Sequence, residues 1–174
     1  MKKIAFISII VFLVSSFTVS KRVDALIQKE IKTVFEVEVY KKETIKIPLE
    51  INETLPAKIT DTNFYKIINE NDVLGYYYIG QAYGKVDYFD FIVIFDNDLM
   101  VEKVKILIYR EDHGAEIRSK RWLKQFIGKT VEKEVIYSKN IVGISGATLS
   151  VKSMTRAVNT ALKSINILHK NEVI

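Results

Sequence analysis

The sequence predicts an α+β fold, an antiparallel sheet packed with helices, preceded by an N-terminal hydrophobic leader. Three observations carry this expectation. Residues 86–95 and 100–109 are runs rich in aromatic and β-branched side chains joined by Asp96-Asn97-Asp98, the make-up of a β-hairpin and its turn. Val151, Met154, Val158, Ala161, Leu162, Ile165 and Leu168 recur at helical spacing and give the last segment one face to bury. Met1-Lys2-Lys3 stands before an apolar run from Ile4 to Val14, a basic start with a short apolar core.

Taken in order, residues 1–20 read as a signal peptide or membrane anchor. Thr18 and Ser20 offer a small-residue cleavage site. The apolar span is slightly short of the about 20 residues that a membrane-crossing helix needs. The folded part, residues 21–174, is then expected outside the cytoplasm (periplasmic), either membrane-anchored or secreted. Residues 23–35 place Val23, Leu26, Ile27, Ile31 and Val34 at helical spacing. Residues 37–49 alternate apolar and charged side chains, as a half-buried strand does. Pro56 marks a break, and residues 63–69 suggest a helical turn or two. Residues 73–83 read as a strand punctuated by Gly75 and Gly80, with Gly84 closing it. The hairpin follows, then an amphipathic helix over 119–126 and a short strand over 132–137. Strand alternation sends members of Tyr76-Tyr77-Tyr78 to opposite faces, so core packing is the expected fate of most of these aromatics.

Composition narrows the function. The 174 residues carry a net charge of +5, but the basic residues are spread along the chain, unlike a nucleic-acid footprint. With no Cys there is no thiolate-held iron–sulfur cluster, Cys-attached haem or disulfide. Two His, His113 and His169, cannot build a multi-His metal site within one chain. The Asp96-Asn97-Asp98 turn lacks the calcium-loop pattern. No metal site is expected, no motif suggests a catalytic triad, and any redox centre must be an organic cofactor.

The chemistry concentrates in Ile144-Ser145-Gly146-Ala147-Thr148-Leu149-Ser150, which opens the last helix. Exposed amides and the helix dipole favour an anion there, Gly146 permits close approach, and the first turn has Lys152 but no Asp or Glu. By residue types alone, the same string also serves as ordinary cap-and-turn chemistry. The string Ser-Gly-Ala-Thr, followed by an apolar residue and Ser, resembles the signature of the FMN-binding domain family. This family includes the flavin-carrying subunits of sodium-pumping NADH:quinone reductases and Rnf-type complexes. A second segment agrees in order and distance: Tyr109-Arg110-Glu111-Asp112-His113-Gly114-Ala115-Glu116-Ile117, leading to Trp122-Leu123 and Gln125-Phe126-Ile127-Gly128-Lys129.

The resemblance implies that residues 21–174 hold an FMN-binding domain and that a dedicated flavin transferase esterifies Thr148 to the FMN phosphate. It implies that the amides around Gly146, Ala147, Thr148, Leu149 and Ser150 neutralise the phosphate, with the Ser145 and Ser150 hydroxyls as further donors. The loop of Glu111, His113 and Gly114 is then expected to shape the ring pocket. One position departs from the pattern: the family usually has Asp three residues before the first Ser of the motif, and this chain has Val142. The function expected is an electron-transfer carrier, served by redox partner proteins or a membrane electron-transfer complex, rather than a stand-alone enzyme. Two alternatives stand beside it: a flavin-dependent reductase of a small acceptor or quinone, and a cofactor-free interaction domain on the same scaffold.

Overall fold

A computed structural model describes residues 21–174, and the leader expected over 1–20 lies outside the described residues. Helix α1 spans residues 21–35. There follow β1 (Lys41–Thr44), α2 (Leu49–Thr54), β2 (Phe64–Asn69), β3 (Asp72–Tyr83), β4 (Tyr88–Asp96) and β5 (Val101–Tyr109). A 3-10 turn (Ala115–Arg118), α3 (Lys120–Leu123) and a second 3-10 turn (Lys124–Phe126) lead to α4 (Thr148–Lys170). The five strands form one antiparallel sheet in chain order, β1-β2-β3-β4-β5. The α+β expectation therefore holds.

Alternation along the strands divides the apolar side chains between two layers. Phe64, Tyr76, Tyr78, Phe89, Phe91, Val93 and Phe95 face the main core with Val151, Met154, Val158, Leu162 and Ile165 of α4. Tyr77, Ile67, Ile92 and Ile94 point the other way, onto Ile27 and Ile31 of α1. The tyrosine run is thus split between faces and buried throughout. Strand β4 is covered on both sides, which accounts for its nearly unbroken apolar sequence. Glu30 of α1 is buried, and its carboxylate takes ion pairs from Lys105 and, at 3.5 Å, Lys103 of β5. Burial raises the Glu30 carboxyl, but the hydrogen bond and charge of Lys105, with Lys103 behind it, prevail and hold it below its usual range.

Four expected elements change. Where residues 63–69 suggested helical turns, residues 64–69 form strand β2, because Tyr65 stacks on Tyr77 at 4.8 Å and the segment pairs with β3 through a tight turn. The strand expected over 37–49 shrinks to β1, an exposed edge, while Pro48 stands at the N-cap of α2. Residues 132–137 carry no strand; Asn159 and Asn140 side chains satisfy the amides of Val135 and Ile136 instead. The helix over 119–126 is one α-turn capped by Ser119, running into a 3-10 turn. Among the described residues no helix is long and apolar enough to cross a membrane.

Candidate functional site

Helix α4 begins bare. Ala147 occupies its N-cap, no side chain caps it, and its first turn has no acidic residue. The Val151 amide is bonded back to the Ala147 carbonyl at 2.9 Å. The amides of Thr148, Leu149 and Ser150 precede that first helical bond, where the helix supplies no acceptor of its own. Ser145 and Gly146 form the turn before it, with Gly146 at φ 85°. Ala147 is buried and fixes the turn to the core, whereas Ser145, Thr148 and Leu149 are exposed. A free hydroxyl thus stands at a helix start that offers amides and positive partial charge.

Beside this turn lies a cleft of about 720 Å³, lined among others by Glu116, Arg121, Trp122, Val142 and Ser145. That volume falls within the roughly 300–1,000 Å³ of small-molecule and cofactor sites. Its far wall is α3 and the turn after it. The Trp122 indole donates to the Val142 carbonyl at 2.8 Å. Gln125 accepts from the Val142 amide at 2.7 Å and reaches the same carbonyl at 3.4 Å. The main chain at position 142 is therefore gripped from both sides, while its side chain is 71% exposed. Trp122 itself packs edge-on against Phe126, 5.2 Å between centroids, in the core. A hollow of about 470 Å³ lies on the opposite face, between α1 and the β1–β3 part of the sheet, remote from the motif in the layering.

The 111–114 loop is tied to the motif through one tyrosine. The Tyr109 hydroxyl donates to the His113 carbonyl at 2.6 Å and lies 3.3 Å from Ser150 Oγ. Its only proton goes to a carbonyl, which can only accept, so Ser150 is the donor across the second contact. Burial pushes the Tyr109 phenol above its ordinary 10; the Ser150 bond opposes this and the Glu111 and Glu116 carboxylates reinforce it. Gly114, at φ 79°, is buried at this junction, and a Cβ there would lie 2.8 Å from Tyr109 Oη and 2.9 Å from Ser150 Oγ. Only glycine suits both the conformation and the space.

The sequence-predicted residues thus fall into two groups. Ser145, Gly146, Thr148 and Leu149 stand together at the open helix start, with Ala147 beneath them. Ser150 is 3% exposed and turned to Tyr109. His113 offers its carbonyl to the junction while the residue as a whole is exposed. Glu111 faces the β3–β4 turn: it accepts from the Lys85 amide at 2.6 Å and from Asp87 at 3.4 Å. It fits because Gly84 has no Cβ, which would sit 1.7 Å from Glu111 Oε1. Tyr109, Glu116, Trp122 and Gln125 stand in the second segment that carries the resemblance but were given no role of their own, and Arg121 in the cleft lining was passed over. A buried Trp needs an acceptor for its indole N–H, and that requirement was the available signal.

Residues 84–163 match the family model of the FMN-binding domain. The match runs from the β3–β4 turn through β4, β5, the 111–114 loop and α3 into most of α4. The match supports a flavin-binding protein with FMN as its cofactor. No curated protein matches the chain. The residues fit the cofactor: the bare amides at the start of α4 suit its phosphate, and the neighbouring cleft suits its ring. Strand β3 and α1, outside the matched span, pack on the same sheet, since β3 pairs with β4 from Gly75 to Tyr83.

Proposed function

We propose that the protein is an extracytoplasmic electron carrier whose FMN is linked through its phosphate to the Thr148 hydroxyl. One observation carries this reading: Thr148 is exposed at a helix start that has no side-chain cap and no acid in its own first turn, open beside a cleft of ring-holding size. Attachment forms one bond from Thr148 Oγ to phosphorus and breaks the phosphoanhydride bond of a flavin dinucleotide, so that the hydroxyl proton is lost and a nucleoside monophosphate leaves. A flavin transferase is the partner that supplies activated FMN for this step. Retention outside the cytoplasm, where free flavin is lost by dilution, is the advantage of a covalent link, and the basic, apolar leader supports that location.

Bound FMN supplies reversible electron acceptance and donation. The chain's own residues do the rest. The amides of Thr148, Leu149 and Ser150 meet the phosphate charge. Trp122 and Gln125 hold the Val142 main chain as one wall of the cleft, and Tyr109 keeps the 111–114 loop against α4. The exposed apolar side chain of Val142 stands in the cleft lining, where a ring edge is presented to redox partner proteins or a membrane electron-transfer complex.

The test is coexpression with a flavin transferase, denaturation, and measurement of flavin that stays with the polypeptide. Wild-type protein retains flavin, and Thr148→Ala retains none. Covalent flavin in the Thr148→Ala variant would refute the acceptor assignment, and colourless wild-type protein would refute the carrier itself.

A further inference from the structure

The cleft beside the motif is lined by one unpaired charge of each sign. Glu116 lies on the 3-10 turn before α3 and Arg121 on α3 itself, and both line the same space. Ion pairs among the described residues engage Glu30, Asp90 and Glu134, and neither Glu116 nor Arg121. The two do not pair with each other, and both are exposed residues of the lining, so neither charge is neutralised by a partner beside the cleft. Glu116 is further placed at the motif: a Cβ on Gly146 would lie 3.8 Å from its Oε1.

Resting on the reading of the site given above, we infer that these two residues set the reduction potential of the flavin in opposite directions, Arg121 raising it and Glu116 lowering it. Reduction of the ring by two electrons with uptake of one proton leaves it richer by one negative charge. A guanidinium facing the ring stabilises that added charge and a carboxylate opposes it, whichever ring edge each side chain meets. Both side chains are partly in water, so their effects are screened and fall as salt is raised. The motif holds the phosphate; the two charges outside it tune the ring.

The experiment uses flavin-loaded full-length protein, titrated with dithionite and followed by visible absorbance at low and high salt. Arg121→Gln shifts the midpoint to a more negative potential and Glu116→Gln to a more positive one. Arg121→Lys, which keeps the charge, stays at the wild-type value. Both shifts shrink at high salt. Coincident potentials in all four proteins, or shifts of the same sign for the two neutralised variants, overturn the inference while leaving the functional reading intact. Wild-type protein that takes up no flavin brings down both. Should Arg121→Gln fail to fold, the sign of the Glu116→Gln shift decides alone.

Discussion

Replacing Gly114 by Ala puts a methyl group into the junction between the 111–114 loop and α4, and Gly128 provides a matched control. The two glycines share nearly the same backbone, φ 79° and 75°. They differ in space: a Cβ at position 114 meets Tyr109 Oη at 2.8 Å and Ser150 Oγ at 2.9 Å, while one at position 128 meets nothing within 4 Å. A left-handed Ala costs about 1–2 kcal/mol, offset in part by the about 0.4–1 kcal/mol gained from a stiffer unfolded chain. Gly128→Ala therefore destabilises by about 0–1.6 kcal/mol. Gly114→Ala adds overpacking of about 1–3 kcal/mol, because both clashing atoms are fixed by their own hydrogen bonds. Urea unfolding followed by far-UV circular dichroism measures both variants. Equal midpoints would show that the junction yields without cost and that Tyr109 and Ser150 do not fix the loop. The same loss should appear in flavin loading, which falls for Gly114→Ala and holds for Gly128→Ala.

Further outcomes follow from the same geometry. Tyr109→Phe removes the donor to His113 and the acceptor for Ser150; a loss of about 0.5–1.5 kcal/mol is expected in urea unfolding, with the fold retained. Trp122→Phe keeps the ring in the core but leaves the Val142 carbonyl with only the 3.4 Å reach of Gln125, so it should lower flavin occupancy more than melting temperature. The Glu30 carboxyl is held below its ordinary value of 4.5 in the folded chain, so its stabilising contribution is present above that value. It is lost as pH falls through the folded value; Glu30→Gln should flatten this acid limb in pH-dependent thermal melts.

The β4–β5 hairpin was legible because its two strands are rich in aromatic and β-branched side chains and its acidic turn acts locally: Asp96 accepts from the Met100 amide at 2.7 Å. Strand β2 was not. Its turn, residues 70–71, has no glycine, and Glu70 takes φ 55° there, a conformation held by pairing of the flanking strands rather than by its own preference. What makes 64–69 a strand is Tyr77, met only across the sheet. The helix start at Thr148 could be read because its signals lie within seven consecutive residues. The cleft could not, since Glu116, Arg121, Trp122 and Gln125 reach it from a separate element whose approach is set by the packing of Trp122 and Phe126. Glu111 illustrates the opposite error: nearness in sequence to Gly114 suggested a place in the ring pocket, and its carboxylate is engaged by the Lys85 amide instead.

At position 142 shape and identity are carried by different atoms. Because Trp122 and Gln125 grasp only main-chain groups, the side chain is free to change without moving the wall it stands on. Val142→Asp therefore changes only what the cleft wall presents outward and leaves the wall in place, so an effect of this exchange on flavin attachment is an effect of recognition and not of shape.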